Sequence, residues 1–395
     1  MLPLAALLLA QPPGWAASPK LVSDLEKKKT TWLYREELVP KYTLPDPLVC
    51  ADGSRVTTAA EWEQKRRPET LELFRTHVYG RAPAGLTTTA AVTASEPAFG
   101  GTKKRVRITV SDAAGKRFAF DATVYLPKAA GPVPAPVPAV LLVSHKPEPD
   151  ADSFPAERVV GRGFAAAWFD ATSVDADAGD DASRAGGVRG VWPAGGGSGG
   201  TDSWGTLAAW AWAAGRVMDY LVTDPAIDPK RVGVVGHSRG GKTALWAAAE
   251  DQRFALGVSN NSGRGGASLY RRRFGEPAAR IAAAFPHWFC GNFRATVAAD
   301  GELPIDSHQL VGLLAPRAAY VASADADLWA DPRGEFLATA AAGPVYALYG
   351  QQLPREMPPL DTPVVGGRVG YHVRTGGHAL TGYDWDRYLD LAAAR

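Results

Sequence analysis

The sequence predicts an α/β fold built on a doubly wound, mainly parallel sheet with helices on both faces. Three observations carry that expectation. Several apolar runs are too continuous for strands with one wet face, helical segments alternate with them, and one such run leads through a glycine-flanked turn into a helix. With 395 residues, 46% of them hydrophobic, the chain can bury a large core. No internal repeat and no shift of composition divides it, so a single domain is expected over residues 17–395.

Taken in order, residues 1–16 place an apolar stretch, Leu2 to Ala10, before Gly14-Trp15-Ala16, the small-x-small ending of a secretory leader. Export is expected, to a secreted or periplasmic location. No later segment approaches the roughly 20 apolar residues of a membrane span, and no membrane partner is expected. The charge run at 25–30 reads as a solvated helix face. Residues 60–78 read as helical, with Trp62, Leu71, Leu73 and Phe74 as apolar members. Segments 105–110 and 117–126 alternate apolar and polar, which suggests antiparallel strands at a sheet edge. After a connector rich in Pro and Ala at 127–138, residues 139–144 read as a fully buried strand of the kind found in parallel sheets. Strands at 164–169, 231–235, 254–259, 317–323 and 369–374 then alternate with helices, among them 204–221 and a last one at 383–394. Sheets of this kind bind ligands at the carboxyl ends of their strands. The long stretch 170–202, rich in Gly, Asp and Ala, reads as a loop lining the site entrance or as an insert.

The 43 basic and 41 acidic residues are well mixed and leave a net charge of +2, without the basic field that nucleic-acid binding needs. A small molecule or a polysaccharide end is the expected partner, and a monomer the expected state. Cys50 and Cys290 are either one disulfide or two buried thiols.

The turn is Gly236-His237-Ser238-Arg239-Gly240, a strand–turn–helix context that fits a nucleophile elbow; the plainer alternative is a glycine-rich turn that happens to contain a serine. A serine hydroxyl needs a general base within hydrogen-bond reach. Of seven histidines, His378 lies in a glycine-bearing loop between the last strand and the last helix. His77 and His372 fall within predicted elements, His145, His287 and His308 near strand ends or loops, and His237 is expected to point away. The order serine, acid, histidine of α/β-hydrolases puts the acid after the strand at 317–323. Asp327 is preferred there, then Asp325, then Asp331, and those not used would cap the following helix. Arg239 offers a backbone N–H at the start of the elbow helix and a side chain as a second oxyanion donor. A fixed positive charge beside the nucleophile suits an acyl group bearing polar substituents better than a lipid. No metal or organic cofactor enters this set.

These residues resemble the glucuronoyl esterases, carbohydrate esterase family fifteen, and their bacterial members above all. The resemblance rests on Gly236 to Lys242, Asn261 to Gly266 followed by Arg271 to Glu276, Phe285 to Phe289, Asp306 to Leu310 with Ala315 to Arg317, and Leu328 to Glu335. It implies Ser238 as nucleophile, His378 as base and Arg239 as oxyanion stabiliser, with Lys242, Glu276 and Trp329 contacting the glucuronic acid ring. Many members carry a catalytic glutamate where this chain has Asn261, which cannot supply the charge. That departure favours the other acid position found in the family, Asp327. The blander alternatives are a solvated Lys242, a Glu276 paired with one of Arg271 to Arg273, and a Trp329 in the core. The resemblance implies a secreted serine esterase acting on 4-O-methyl-glucuronoyl esters between glucuronoxylan and lignin alcohols. An acetyl xylan or feruloyl esterase of the same fold is the alternative, and a catalytically silent carbohydrate-binding protein a third reading.

Overall fold

The structure, a computed structural model, describes residues 14–28, 31–128, 135–179, 185–196, 200–299 and 301–394. Its centre is a ten-stranded sheet of β1 (Thr87–Ala98), β2 (Gly101–Ser111), β3 (Arg117–Leu126), β4 (Val137–Ser144), β5 (Ala165–Asp170), β6 (Ile227–His237), β7 (Leu256–Asn260), β8 (Ala318–Ala324), β9 (Val364–Gly366) and β10 (Val369–Arg374). The spatial order is β1-β2-β3-β5-β4-β6-β7-β8-β10-β9. The six strands from β5 to β10 in that order pair in parallel, and antiparallel strands close both ends.

The apolar runs are explained by burial on both faces. Along β4, Ala139, Leu141 and Val143 join a core with the helix Thr206–Leu221 on one side, while Val140 and Leu142 join Phe154, Trp385 and Tyr388 on the other. Because β5 and β6 flank β4, the winding reverses direction at β4, and the crevice above its carboxyl end is where such sheets take ligands. The described part of the chain has no helix long and apolar enough to cross a membrane.

The expected antiparallel edge is present but one strand wider. In β1 nearly every side chain is exposed, so the segment has no apolar alternation, and eleven residue pairs with β2 hold it in place. The stretch 170–202 is tied down in its described part. Asp170 caps the short helix Ala171–Val174, and the buried Asp175 accepts from Arg189 Nε and Thr206 Oγ1 at 2.8 and 2.7 Å. Of the expected leader over residues 1–16, residues 1–13 lie outside the described residues and 14–16 within them. Trp15 is packed in the core, donates its N–H to Pro358 O at 3.1 Å, and accepts from Arg333 at 3.0 Å. Cys50 and Cys290 are both free and buried.

Candidate active site

Ser238 occupies the tip between β6 and the helix Arg239–Glu250, with φ 56° and ψ −123°, a backbone region that a residue bearing a Cβ rarely enters. The flanking glycines make the turn sterically feasible. A Cβ on Gly236 would lie 1.9 Å from Gly240 O, and one on Gly240 would lie 2.8 Å from Val143 O. The serine N–H is tied to Asn260 O at 2.9 Å, so the elbow is braced against β7.

His378 comes from the loop after β10 and turns its Nδ1 to Asp327 Oδ2 at 2.6 Å; the imidazole side chain is 45% exposed and the carboxylate 3%. Asn261 donates its amide to the same oxygen at 2.9 Å. The residue that cannot supply a charge therefore orients the one that can. The other two aspartates of the segment have different partners. Asp325 Oδ1 accepts from Gly376 N at 2.8 Å and pins the histidine loop, while Asp331 caps the helix Pro332–Ala341 through Gly334 N and pairs with Arg272 at 3.0 Å. Arg374 staples that loop further, donating to Ala379 O at 2.6 Å while its Nε reaches Asp384 at 2.9 Å.

Arg239 lies over the Trp288 ring, 4.7 Å from its centroid, and pairs with Asp177. Asp177 also accepts from Trp288 Nε1 at 2.7 Å and contacts His287 Nε2 at 2.9 Å. Burial alone would raise the Asp177 pKa, but hydrogen bonds from His287 and Trp288 and the charge of Arg239 hold it well below the carboxylate range. The Arg239 Nε–H is buried and meets no acceptor among the described residues. Arg239 also begins its helix, where a backbone N–H lacks an intrahelical acceptor.

Lys242, one turn on, is buried rather than solvated and donates to Ser262 O. Burial pushes its pKa down to about 8, against the opposing pull of Glu276 and Glu335. Glu276 is fixed through its backbone, its N–H donating to Trp329 O at 3.1 Å and its carbonyl accepting from Arg264 at 2.9 Å. Arg271 and Arg272 pair instead with Asp306 and Asp331. Trp329 is 50% exposed and meets Trp32 edge-on at 6.0 Å, so it is no core aromatic. The fold thus gathers all seven residues singled out in the sequence at the carboxyl ends of the strands or just beyond them.

Sequence reasoning missed Asp177, the clamp on Arg239, though it falls within the stretch read as lining the entrance. It also gave no task to Trp288, inside the quoted Phe285 to Phe289 block. His237, set aside as pointing away, lies with its ring 4.5 Å from that of His378. Its Nδ1 bonds Asn260 Oδ1 at 2.6 Å, and burial pushes its pKa down to about 3. Among the described residues no cluster of His, Cys, Asp or Glu has the arrangement of a metal site.

The family model described as "Glucuronyl esterase, fungi" matches residues 108–350. The chain belongs to the glucuronoyl esterase family. It is a carboxylic ester hydrolase. A relative named carbohydrate esterase MZ0003, from an unknown prokaryotic organism, is 37% identical over 96% of this chain and 94% of that protein. A 4-O-methyl-glucuronoyl methylesterase of Podospora anserina is 32% identical over 70% of this chain and 54% of its own length. The solved glucuronoyl esterase of Solibacter usitatus superposes with a TM-score of 0.83 at 37% identity, covering 91% of this chain and 99% of that one.

Proposed function

We propose that this glucuronoyl esterase hydrolyses 4-O-methyl-glucuronoyl esters joining glucuronoxylan to lignin alcohols. Ser238 Oγ attacks the uronoyl carbonyl carbon as His378 takes its proton, and Asp327 steadies the imidazolium that results. The Arg239 backbone N–H and guanidinium hold the developing oxyanion. Lys242, Glu276 and Trp329 bind the sugar ring and its hydroxyls. His378 returns the proton to the departing alcohol, and water then releases glucuronate and regenerates the serine. The observation that carries the reading is the pair of cations, Arg239 and the buried Lys242, held within one helical turn of the elbow serine. Arg239 would serve the oxyanion of any ester, but Lys242 has no evident task toward an acetyl or feruloyl group. A leader over residues 1–16, export, a catalytic domain over 17–395 and a monomeric state complete the proposal.

The test compares methyl glucuronate, methyl galacturonate and acetylated xylan as substrates. Glucuronate is expected to be preferred, and a preference for acetyl release would reject the reading. A fluorophosphonate probe should label Ser238, and failure to label would favour the silent carbohydrate-binding protein.

A further inference from the structure

No motif marks the segment from Trp32 to Tyr34, yet the fold lays it along the sugar side of the site. Leu33 forms an antiparallel bridge with Gly275, and Gly275 N donates to Leu33 O at 2.8 Å. That register sets Trp32 opposite Glu276 and Tyr34 opposite Phe274, and the ring centroids of Tyr34 and Phe274 stand 6.1 Å apart, edge to face. Side chains two residues apart on extended chain share a face, so Trp32, Tyr34, Phe274 and Glu276 lie together on one side of the bridge. On the same side Trp32 is 6.3 Å from Tyr34 and 6.0 Å from Trp329. Tyr34 is thus the diagonal neighbour of Glu276, at a separation of roughly 7–8 Å that an aromatic side chain can span.

Two polar groups on this face lack partners. Tyr34 is 1% exposed, and its hydroxyl is buried without a hydrogen-bond partner among the described residues. The Glu276 side chain makes no hydrogen bond or ion pair among them either. A buried donor left unpaired costs stability, and a folded chain that keeps one has a reason to. Burial pushes the Tyr34 pKa up, and the charges of Glu276 and then Asp327 push it further, so the hydroxyl lies in the field of both carboxylates. Asp327 already accepts from His378 and Asn261, which leaves Glu276 as the carboxylate in need of a donor. Hydrogen bonds in an unliganded site are often long and tighten only around the substrate. Resting on the esterase reading above, we infer that Tyr34 is a positioning residue of the sugar side: its hydroxyl donates to Glu276 when glucuronate binds and turns the other oxygen of that carboxylate onto a ring hydroxyl.

Tyr34→Phe removes one oxygen and keeps the ring, so it tests the hydroxyl alone. KM for methyl glucuronate is expected to rise about tenfold with a smaller change in kcat, the size of a lost hydrogen bond to a charged group. The melting temperature should match or exceed the parent's, because the oxygen removed is buried and unpaired. Action through Glu276 is read from a double-mutant cycle. With Glu276→Gln in place, which itself raises KM, adding Tyr34→Phe should change KM by less than about twofold. Additive effects in that cycle, or a KM for Tyr34→Phe within about twofold of the parent, would overturn the inference. A fall in kcat at unchanged KM would also overturn it, by placing the hydroxyl on Asp327 instead. A parent that turns over no glucuronate ester would reject the esterase reading itself, whereas an active parent with any of those results rejects the role of Tyr34 alone.

Discussion

Around Arg239 stand charged groups, with Asp177 paired to it and held by Trp288 and the buried Lys242 one helical turn on; around His378 stand two neutral imidazoles, His145 and His237. The same elbow serves both, so the difference lies in what each half of an ester requires. The acyl half acquires negative charge at its carbonyl oxygen during the reaction and carries hydroxyls to be recognised, which rewards fixed charges and donors. The alcohol half leaves neutral after taking a proton from His378, which rewards a base whose surroundings do not compete for that proton.

Ser238→Ala removes the centre both sides share, and activity on a glucuronate ester should fall by about 10⁶-fold, with the fold unchanged by circular dichroism. Asp327→Asn strikes the histidine side. It should lower kcat on the order of 10⁴-fold, since the amide no longer fixes the imidazole tautomer or balances its charge. Asp325→Asn, which touches only the loop backbone, should cost far less; if it alone impairs turnover, the acid is misassigned. On the charged side, Arg239→Met should lower kcat by about 10²–10³-fold by removing an oxyanion donor. Asp177→Asn should act through that arginine and cost less. Lys242→Met keeps the buried volume and removes a charged hydrogen bond, so KM for a glucuronate ester should rise about 10–100-fold with a smaller change in kcat.

Lys242 also gives the comparison a pH signature. A lysine with a pKa pushed down to about 8 is charged below that pH and loses its charge as pH rises through it. In the parent, KM for a glucuronate ester should climb above pH about 8. In Lys242→Met that climb should be absent, whereas an identical profile in both would detach the lysine from substrate binding.

The parallel centre of the sheet was legible because strands buried on both faces leave unbroken apolar runs, as 139–144 does. Strand β1 was not, because its side chains are exposed and only the ladder to β2 specifies it. Ser238, His378 and Asp327 were legible through local glycine-bearing context and chain order, and Asn261 sharpened the choice of acid. Asp177 left no trace of its partnership. Its three partners, Arg239, His287 and Trp288, come from 62 to 111 residues away, and only the closed fold brings them together. His237 misled for a related reason. Adjacency to a nucleophile says little about where a ring turns once Asn260 has taken its Nδ1.

The central claim is that the charged side reads a uronoyl group. It is tested most directly by kcat/KM of the purified protein for methyl glucuronate beside its methyl galacturonate counterpart and acetylated xylan. The account predicts that the glucuronate ester is the best of the three. Release of acetate as the faster reaction would contradict it.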